Sequence, residues 1–410
     1  MNNRHTKNTV RYYILFTILL AFLFLSNDFG LIDVQKTAIV LAVGIDREED
    51  DFILTSQIAV PQSSTQGKAT QAVQLVSKGK TIGQAFEEIN AKTGWYPKLV
   101  FCRLILLGVS TTEYDVFDAL DYFVRDEYLS DNCLVATCDE DAQSLLNTQA
   151  LVDPASSVAI TKVLSEHAER VGTVLPTTLR EFSIGYFGES KSGFLPILKT
   201  TPQQERKDRK PNEQDREENK DQSSENSVQN NQKNTPEQNQ TKPVFSAKRT
   251  ALFVGGKRVD TLTEEETFAV SALLNKLKLA SYSVTDEKGS CALSVRKNSP
   301  KIKFQVNKDG NASLQIRLTR TVGALDYSNA QPADKIADVG DIPNGIFPLA
   351  EKKLTAEIST AFEKCKACGC DIFRLRERLI KYKNRRLQKY SQTLLQNTVA
   401  QVSVRLENVR

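Results

Sequence analysis

From Thr201 to Pro243 the chain carries one apolar residue larger than a methyl group, Val228; the rest is polar or charged and is broken by Pro202, Pro211, Pro236 and Pro243. A segment of this composition cannot bury enough surface to offset its ordering entropy. It reads as a disordered insertion over 201–243, and it splits the remaining sequence into two blocks that hold all the core-forming residues. Its charges are mixed in sign, so it is a solvated spacer and not a polybasic membrane patch.

The first block opens on a second unusual run. Tyr12 to Ser26 (YYILFTILLAFLFLS) is uncharged, and the residues before it hold Arg4, Lys7 and Arg11 with no acid. A basic stretch followed by an apolar one is the pattern of an export segment. Fifteen helical residues reach about 22 Å, short of a hydrocarbon core of roughly 30 Å. No A-x-A cleavage pattern precedes Asn27, because Phe24 and Ser26 occupy those positions. The expectation is a thin, retained membrane anchor in which Tyr12, Ile14, Leu19, Leu20, Phe24 and Leu25 meet lipid and Arg11 marks the inner boundary. Residues 1–30 then form a cytoplasmic stub and anchor, and the rest of the chain lies on the extracytoplasmic face.

Periodicity predicts the elements that follow. Thr37 to Asp46 is a continuous Val- and Ile-rich run, a strand buried on both faces, with Phe52 to Val60 as its partner across a longer hairpin loop. Ile82, Ala85, Phe86 and Ile89 fall at helical spacing before Gly94. Leu99 to Gly108 predicts a strand, Val116 to Phe123 a helix, Leu134 to Thr137 a short strand, Glu140 to Leu146 a short helix, and Ile160 to Arg170 another helix. Past the insertion, Thr250 to Val254 and Lys257 to Leu262 flank a Gly255-Gly256 turn. Thr263 and Glu266 then form a capping box for the next helix. Three alternating strands follow, Cys291 to Lys297, Lys301 to Val306 and Ser313 to Thr321. After them come a helix from Pro348 with Leu354, Ile358, Ala361, Phe362 and Cys365 on one stripe, a basic helix over 371–390, and a terminal strand around Val402 to Leu406. The fold class is α+β: after the anchor, three consecutive α/β-type domains with mixed or antiparallel sheets covered by helices, over 31–148, 149–280 (interrupted by the insertion) and 281–410, the last an antiparallel sheet with helices.

The chemistry available is narrow. Lys and Arg number 54 against 50 Asp and Glu, a net charge of +4, which gives no electrostatic case for nucleic acid. Two histidines, His5 and His167, leave almost no material for histidine catalysis, and His167 sits in a charged helical run without a Gly-x-Ser-x-Gly elbow. Neither a P-loop, a dinucleotide fingerprint nor an H-E-x-x-H motif occurs. Seven cysteines at irregular spacings do not make a disulfide framework. Cys365-x-x-Cys368-x-Cys370 looks like half of a thiolate metal site, but no second cluster completes it, and Cys365 lies on an apolar stripe. No cofactor, metal or catalytic residue is expected.

Three stretches together resemble the Ger(x)C family, the C subunits of bacterial spore-germination nutrient receptors. They are AIVLAVGID (38–46) with ILTSQIAVP (53–61); the order TIGQAFEEIN, LVFCRLILLG, VFDALDYFVRD and the strand after it between 81 and 146; and ALFVGGKRVDTLTEEET (251–267) with the KIKFQV and ASLQIRL strands and the long helix closing on CDIFRLRERL (370–379). The resemblance implies a non-enzymatic subunit on the outer face of the spore inner membrane, acting in receptor assembly or signal coupling with two integral-membrane subunits. The other readings left open by the residues are an anchored extracytoplasmic solute- or cell-wall-binding protein and an anchored hydrolase. Two departures from the family pattern stand out. Its lipidated cysteine, which precedes an aromatic residue after the apolar run, is replaced by Asp28 before Phe29, so that lipidation position is lost. Its Asp-Ile-Phe-Gly-Phe-Gly run becomes Asp371 to Arg376 (DIFRLR), without the two glycines.

Overall fold

The computed structural model describes residues 3–25, 37–59, 72–150, 153, 155–165, 172–201, 244–277, 279–286, 289–329, 345–382 and 385–409. After helix α1 (Asn3–Leu25), strands β1 (Thr37–Glu48) and β2 (Asp51–Ala59) pair antiparallel, with Glu48 opposite Asp51. The loop between them is two residues long, shorter than the sequence suggests. Glu49 takes a left-handed φ of 53° there, and its carbonyl accepts from Arg47 Nε at 3.2 Å. Strand β3 (Ala72–Gly79) pairs with β2, and helix α2 (Ile82–Thr93) follows. Thr81 caps α2 by accepting from Gln84 N, Gly94 closes it at φ 71°, and Ile82, Ala85, Phe86 and Ile89 form its buried face as expected.

Strand β4 (Tyr96–Lys98) and strand β5 (Leu104–Leu107) replace the single strand expected over 99–108. Between them the chain turns, with Cys102 N–H donating to Leu99 O at 2.8 Å and Val100 and Phe101 left exposed. Helices α3 (Val109–Thr112) and α4 (Phe117–Arg125), strand β6 (Leu134–Cys138), and helices α5 (Ala142–Asn147) and α6 (Ser156–Leu164) come next. His167 and the end of the helix expected to Arg170 lie outside the described residues. Strand β7 (Thr177–Thr178), helix α7 (Leu179–Phe187), and strands β8 (Ser192–Thr201), β9 (Val244–Val254) and β10 (Lys257–Leu262) follow.

All of these strands join one ten-stranded sheet in the order β10-β9-β8-β6-β5-β1-β2-β3, with β4 beside β1 and β7 beside β6. The stretch expected as a middle domain thus adds its strands to the first sheet, through the parallel pairing of Thr137 and Cys138 with Ile197 and Leu198. Helices cover both faces, which is why β1 and β5 read as continuous apolar runs. Val43, Ile45, Ile105 and Leu107 pack on one side with residues of α2, α4 and α7, while Ala42, Leu104 and Leu106 pack on the other with α5 and α6. Residues 202–243 lie outside the described residues, but their flanks meet: Thr201 pairs with Val244 in the antiparallel β8-β9 ladder.

Helix α8 (Glu264–Leu273) starts at the expected capping box, with both Thr263–Glu266 bonds formed. A second sheet then runs β11-β12-β13-β14, from strands β11 (Ala280–Thr285), β12 (Gly289–Val306), β13 (Ala312–Asn329) and β14 (Thr398–Asn408). The two strands expected before and after Asn298 are one, since Pro300 sits past the end of β11, where β12 needs no N–H donor on that edge. The sheet expected to be antiparallel ends on a parallel pair, β13 with β14. Helices α9 (Ile346–Ala367) and α10 (Leu375–Tyr382) supply the crossover that such a pair requires. The basic helix expected over 371–390 is divided into α10 and a 3-10 segment, Arg385–Tyr390. Ile358, Ala361, Phe362 and Cys365 of α9 pack on Leu314, Ile316 and Leu318 of β13, and the same core takes in Leu252 of β9 and Leu262 of β10. The two sheets therefore share apolar packing at the β9–β10 edge.

Candidate functional site

Three places carry the residues singled out by sequence. The first is α1. Tyr12, Ile14, Leu19 and Leu20 are 72%, 54%, 58% and 45% exposed, on a helix that turns its apolar side chains outward instead of into a core. The side chains of Phe24 and Leu25, and the whole of Asp28, lie outside the described residues. Among the described residues no helix is long and apolar enough to cross a membrane. None of its described residues belongs to a core cluster.

The second is the Gly-Ile-Asp end of β1. Asp46 is buried, and its two carboxylate oxygens accept from the first N–H groups of α5, Ala142 at 2.8 Å and Gln143 at 3.0 Å. Burial pushes its pKa up, against the pull of those two backbone donors. Gly108 leaves the space for it, since a Cβ there would come 1.8 Å from Asp46 Oδ1. The motif is thus a structural pin joining β1, the end of β5 and α5.

The third is the junction where the DIFRLR run meets the first sheet. Asp371 is buried and accepts from the N–H groups of Leu375 (2.9 Å) and Arg376 (2.9 Å), capping α10. Ser190 N–H donates to Glu377 Oε1 at 3.1 Å. The Ser190 hydroxyl lies at 3.1 Å from Asp371 Oδ2 and also contacts Glu377 Oε2. Ser192 Oγ accepts from Asp371 N at 3.0 Å, and Cys370 Sγ lies against the carbonyls of Gly193 and Phe253. Gly188 makes room for Glu377, whose Oε1 would be 2.6 Å from a Cβ at that position. Burial raises the Asp371 pKa. Arg374, which stands where the resembled family has glycine, holds a left-handed φ of 54°. Burial also raises the Cys365 thiol, whereas Cys368, beside Cys370, is lowered to about 7. Among the described residues no group of three or more His, Cys, Asp or Glu is placed to hold a metal.

A cleft of about 510 Å³ opens between β1, the turn before β5 and α6, lined by Ile39, Leu41, Phe101, Arg103 and Lys162 among others. Sequence reasoning did not find Ser190 or Glu377. Neither belongs to a periodic pattern, and only pairing across the fold joins them to Asp371.

A family model described as the spore germination protein N-terminal domain matches residues 31–200, and one described as spore germination B3/GerAC-like, C-terminal, matches residues 248–407. Among curated proteins no sequence matches the chain. The solved crystal structure of the GerBC protein superposes with a TM-score of 0.51 at 15% identity, covering 89% of this chain and 97% of that one, which is a likeness of fold.

Proposed function

The chain belongs to the GerAC-like family of spore-germination proteins, with both family domains in order, and from that premise we propose that it works as the C subunit of a germinant receptor at the membrane of the spore. The observation that carries this is the succession of the two domain matches along one chain, over a fold like that of GerBC. The family is one of receptor subunits and generally not of catalysts. In this reading α1 holds the protein at the membrane in place of the lost lipid position at Asp28, the globular part stands on the outer face, and two integral-membrane subunits are its partners. The role is assembly or signal coupling: the Ser190–Asp371–Glu377 contacts tie the family's C-terminal run to the first sheet, so a force on either half reaches the other.

Affinity isolation of the tagged chain from detergent-extracted spore membranes tests this reading. Two integral-membrane proteins should accompany it. A Leu19→Arg variant, costing on the order of 2.5 to 3.5 kcal/mol at a helix centre in lipid, should leave the membrane fraction. Recovery of the wild-type chain alone, in the soluble fraction, would overturn both the anchor and the partnership.

A further inference from the structure

Helix α2 stops at Gly94, and the stretch 95–101 that follows leaves Trp95, Tyr96, Val100 and Phe101 exposed. Tyr128, also exposed, joins them through Lys98, whose Nζ lies 4.8 Å from the centre of its ring. Single apolar residues are ordinary on a surface, but a group of large ones marks a place that something else covers. The group stands where the parallel strands begin. Tyr96 pairs with Thr37 at the first residue of β1, and Leu134, which opens β6, donates its N–H to Arg103 O at 2.9 Å just before β5. Thr37 is also where the chain arrives from α1, separated from Leu25 only by residues 26–36. At roughly 3.5 Å per residue that connection reaches at most about 40 Å, so this end of the sheet stays near whatever holds α1.

The charges around the patch point the same way. Arg103 is exposed and Lys98 half-buried, and neither makes an ion pair among the described residues. Phe101 and Arg103 also line the 510 Å³ cleft, whose charged lining side chains, Arg103 and Lys162, are both cations. Lys162 is already paired with Asp153 at 2.5 Å, and Glu127 adjoins Tyr128, so the unpaired cations are those beside Phe101. The exposed acids Glu49 and Asp50 sit past the opposite end of β1, roughly 40 Å away by the rise of a strand of that length. Trp and Tyr favour the headgroup level of a bilayer, and Lys and Arg are drawn to anionic lipid.

Resting on the reading of α1 as a membrane anchor, we propose that this face docks on an anionic phospholipid surface, with Trp95, Tyr96, Val100, Phe101 and Tyr128 at the headgroup level and Arg103 and Lys98 against lipid phosphates. The strand starts then face the bilayer and the acidic β1–β2 turn faces away from it. Trp95 is the single tryptophan of the chain, so its fluorescence reports on this face alone. The full chain is reconstituted into vesicles of phosphatidylglycerol and phosphatidylcholine that carry lipid brominated at either the headgroup end or the tail end of the acyl chain. Flotation with the vesicles tests the anchor, and Trp95 quenching tests the docked face. Emission should fall about twofold with bromine near the headgroups and less with bromine near the tails, as expected at an interfacial depth. Quenching should weaken on phosphatidylcholine alone, and Arg103→Glu should reproduce that loss. A Val100→Asp, Phe101→Ser variant, at positions 50% and 54% exposed, should keep its thermal midpoint and still float through α1 while losing the quenching. A chain that floats with Trp95 unquenched would overturn the docking while leaving the anchor intact, and would leave the face to a protein partner. Quenching that persists in the double variant, or that is equal on neutral lipid, would also overturn the proposal, and a chain that does not float would overturn the anchor with it.

Discussion

Arg374 pays for its place with backbone strain: an L-residue in the left-handed region costs roughly 1–2 kcal/mol, a penalty that glycine lacks. Its side chain is exposed. Arg374→Gly should raise stability by about 1 kcal/mol, read as a higher urea midpoint; a lower midpoint would mean that the arginine side chain makes contacts outweighing the strain. Asp46 and Asp371 give the molecule an acid-side dependence. Burial raises both pKa values, so the folded chain holds these protons more tightly than the unfolded one. Their contribution is complete below the ordinary carboxylate range and falls as pH rises through that range to the raised values. Asp46→Asn removes one acceptor from the α5 terminus and should cost about 1–3 kcal/mol. That cost should shrink as pH rises through the same window in urea titrations, and a cost that grows would reverse the assignment. At this scale much was readable in advance, including the capping box at Thr263, the αL stop at Gly94 and the apolar stripe of α9. The partners of Asp46 and Asp371 were not readable, because hydrogen bonds between residues 96 or 181 positions apart leave no local pattern.

Among the elements, the β8-β9 hairpin carries the sharpest expectation. Its ladder closes on Thr201 and Val244, so the polar stretch begins and ends at hydrogen-bonded neighbours. Loop-closure cost grows only slowly with length. Deleting Lys207 to Asn234 should therefore change the thermal midpoint by no more than a degree or two, whereas a large fall would place a structural role in that stretch. The elements legible in sequence were those with a full period: β1 and β2, α2, α8 and α9. Strand β3 escaped because its residues are largely half-exposed at a sheet edge, and the strand expected at 99–108 was shortened by a turn that an apolar run does not signal. The basic stretch after Asp371 read as one helix because its charges alone gave no sign of the break between α10 and the 3-10 segment.

Over the whole molecule, sequence order suggested successive domains, whereas β7 to β10 extend the first sheet and the β9–β10 edge joins the second core. Strand pairing between segments sixty residues apart is set by tertiary packing, which local periodicity does not encode. The result is one sheet running into another through shared apolar contacts. In the function proposed, this chain is a working germinant-receptor subunit. The most direct measurement is nutrient-triggered germination of spores from which its gene, and any paralogue, has been deleted, followed as loss of optical density across a panel of nutrients. Spores without it should fail to respond to at least one nutrient and recover when the wild-type gene is restored; unchanged germination with every nutrient would contradict the account.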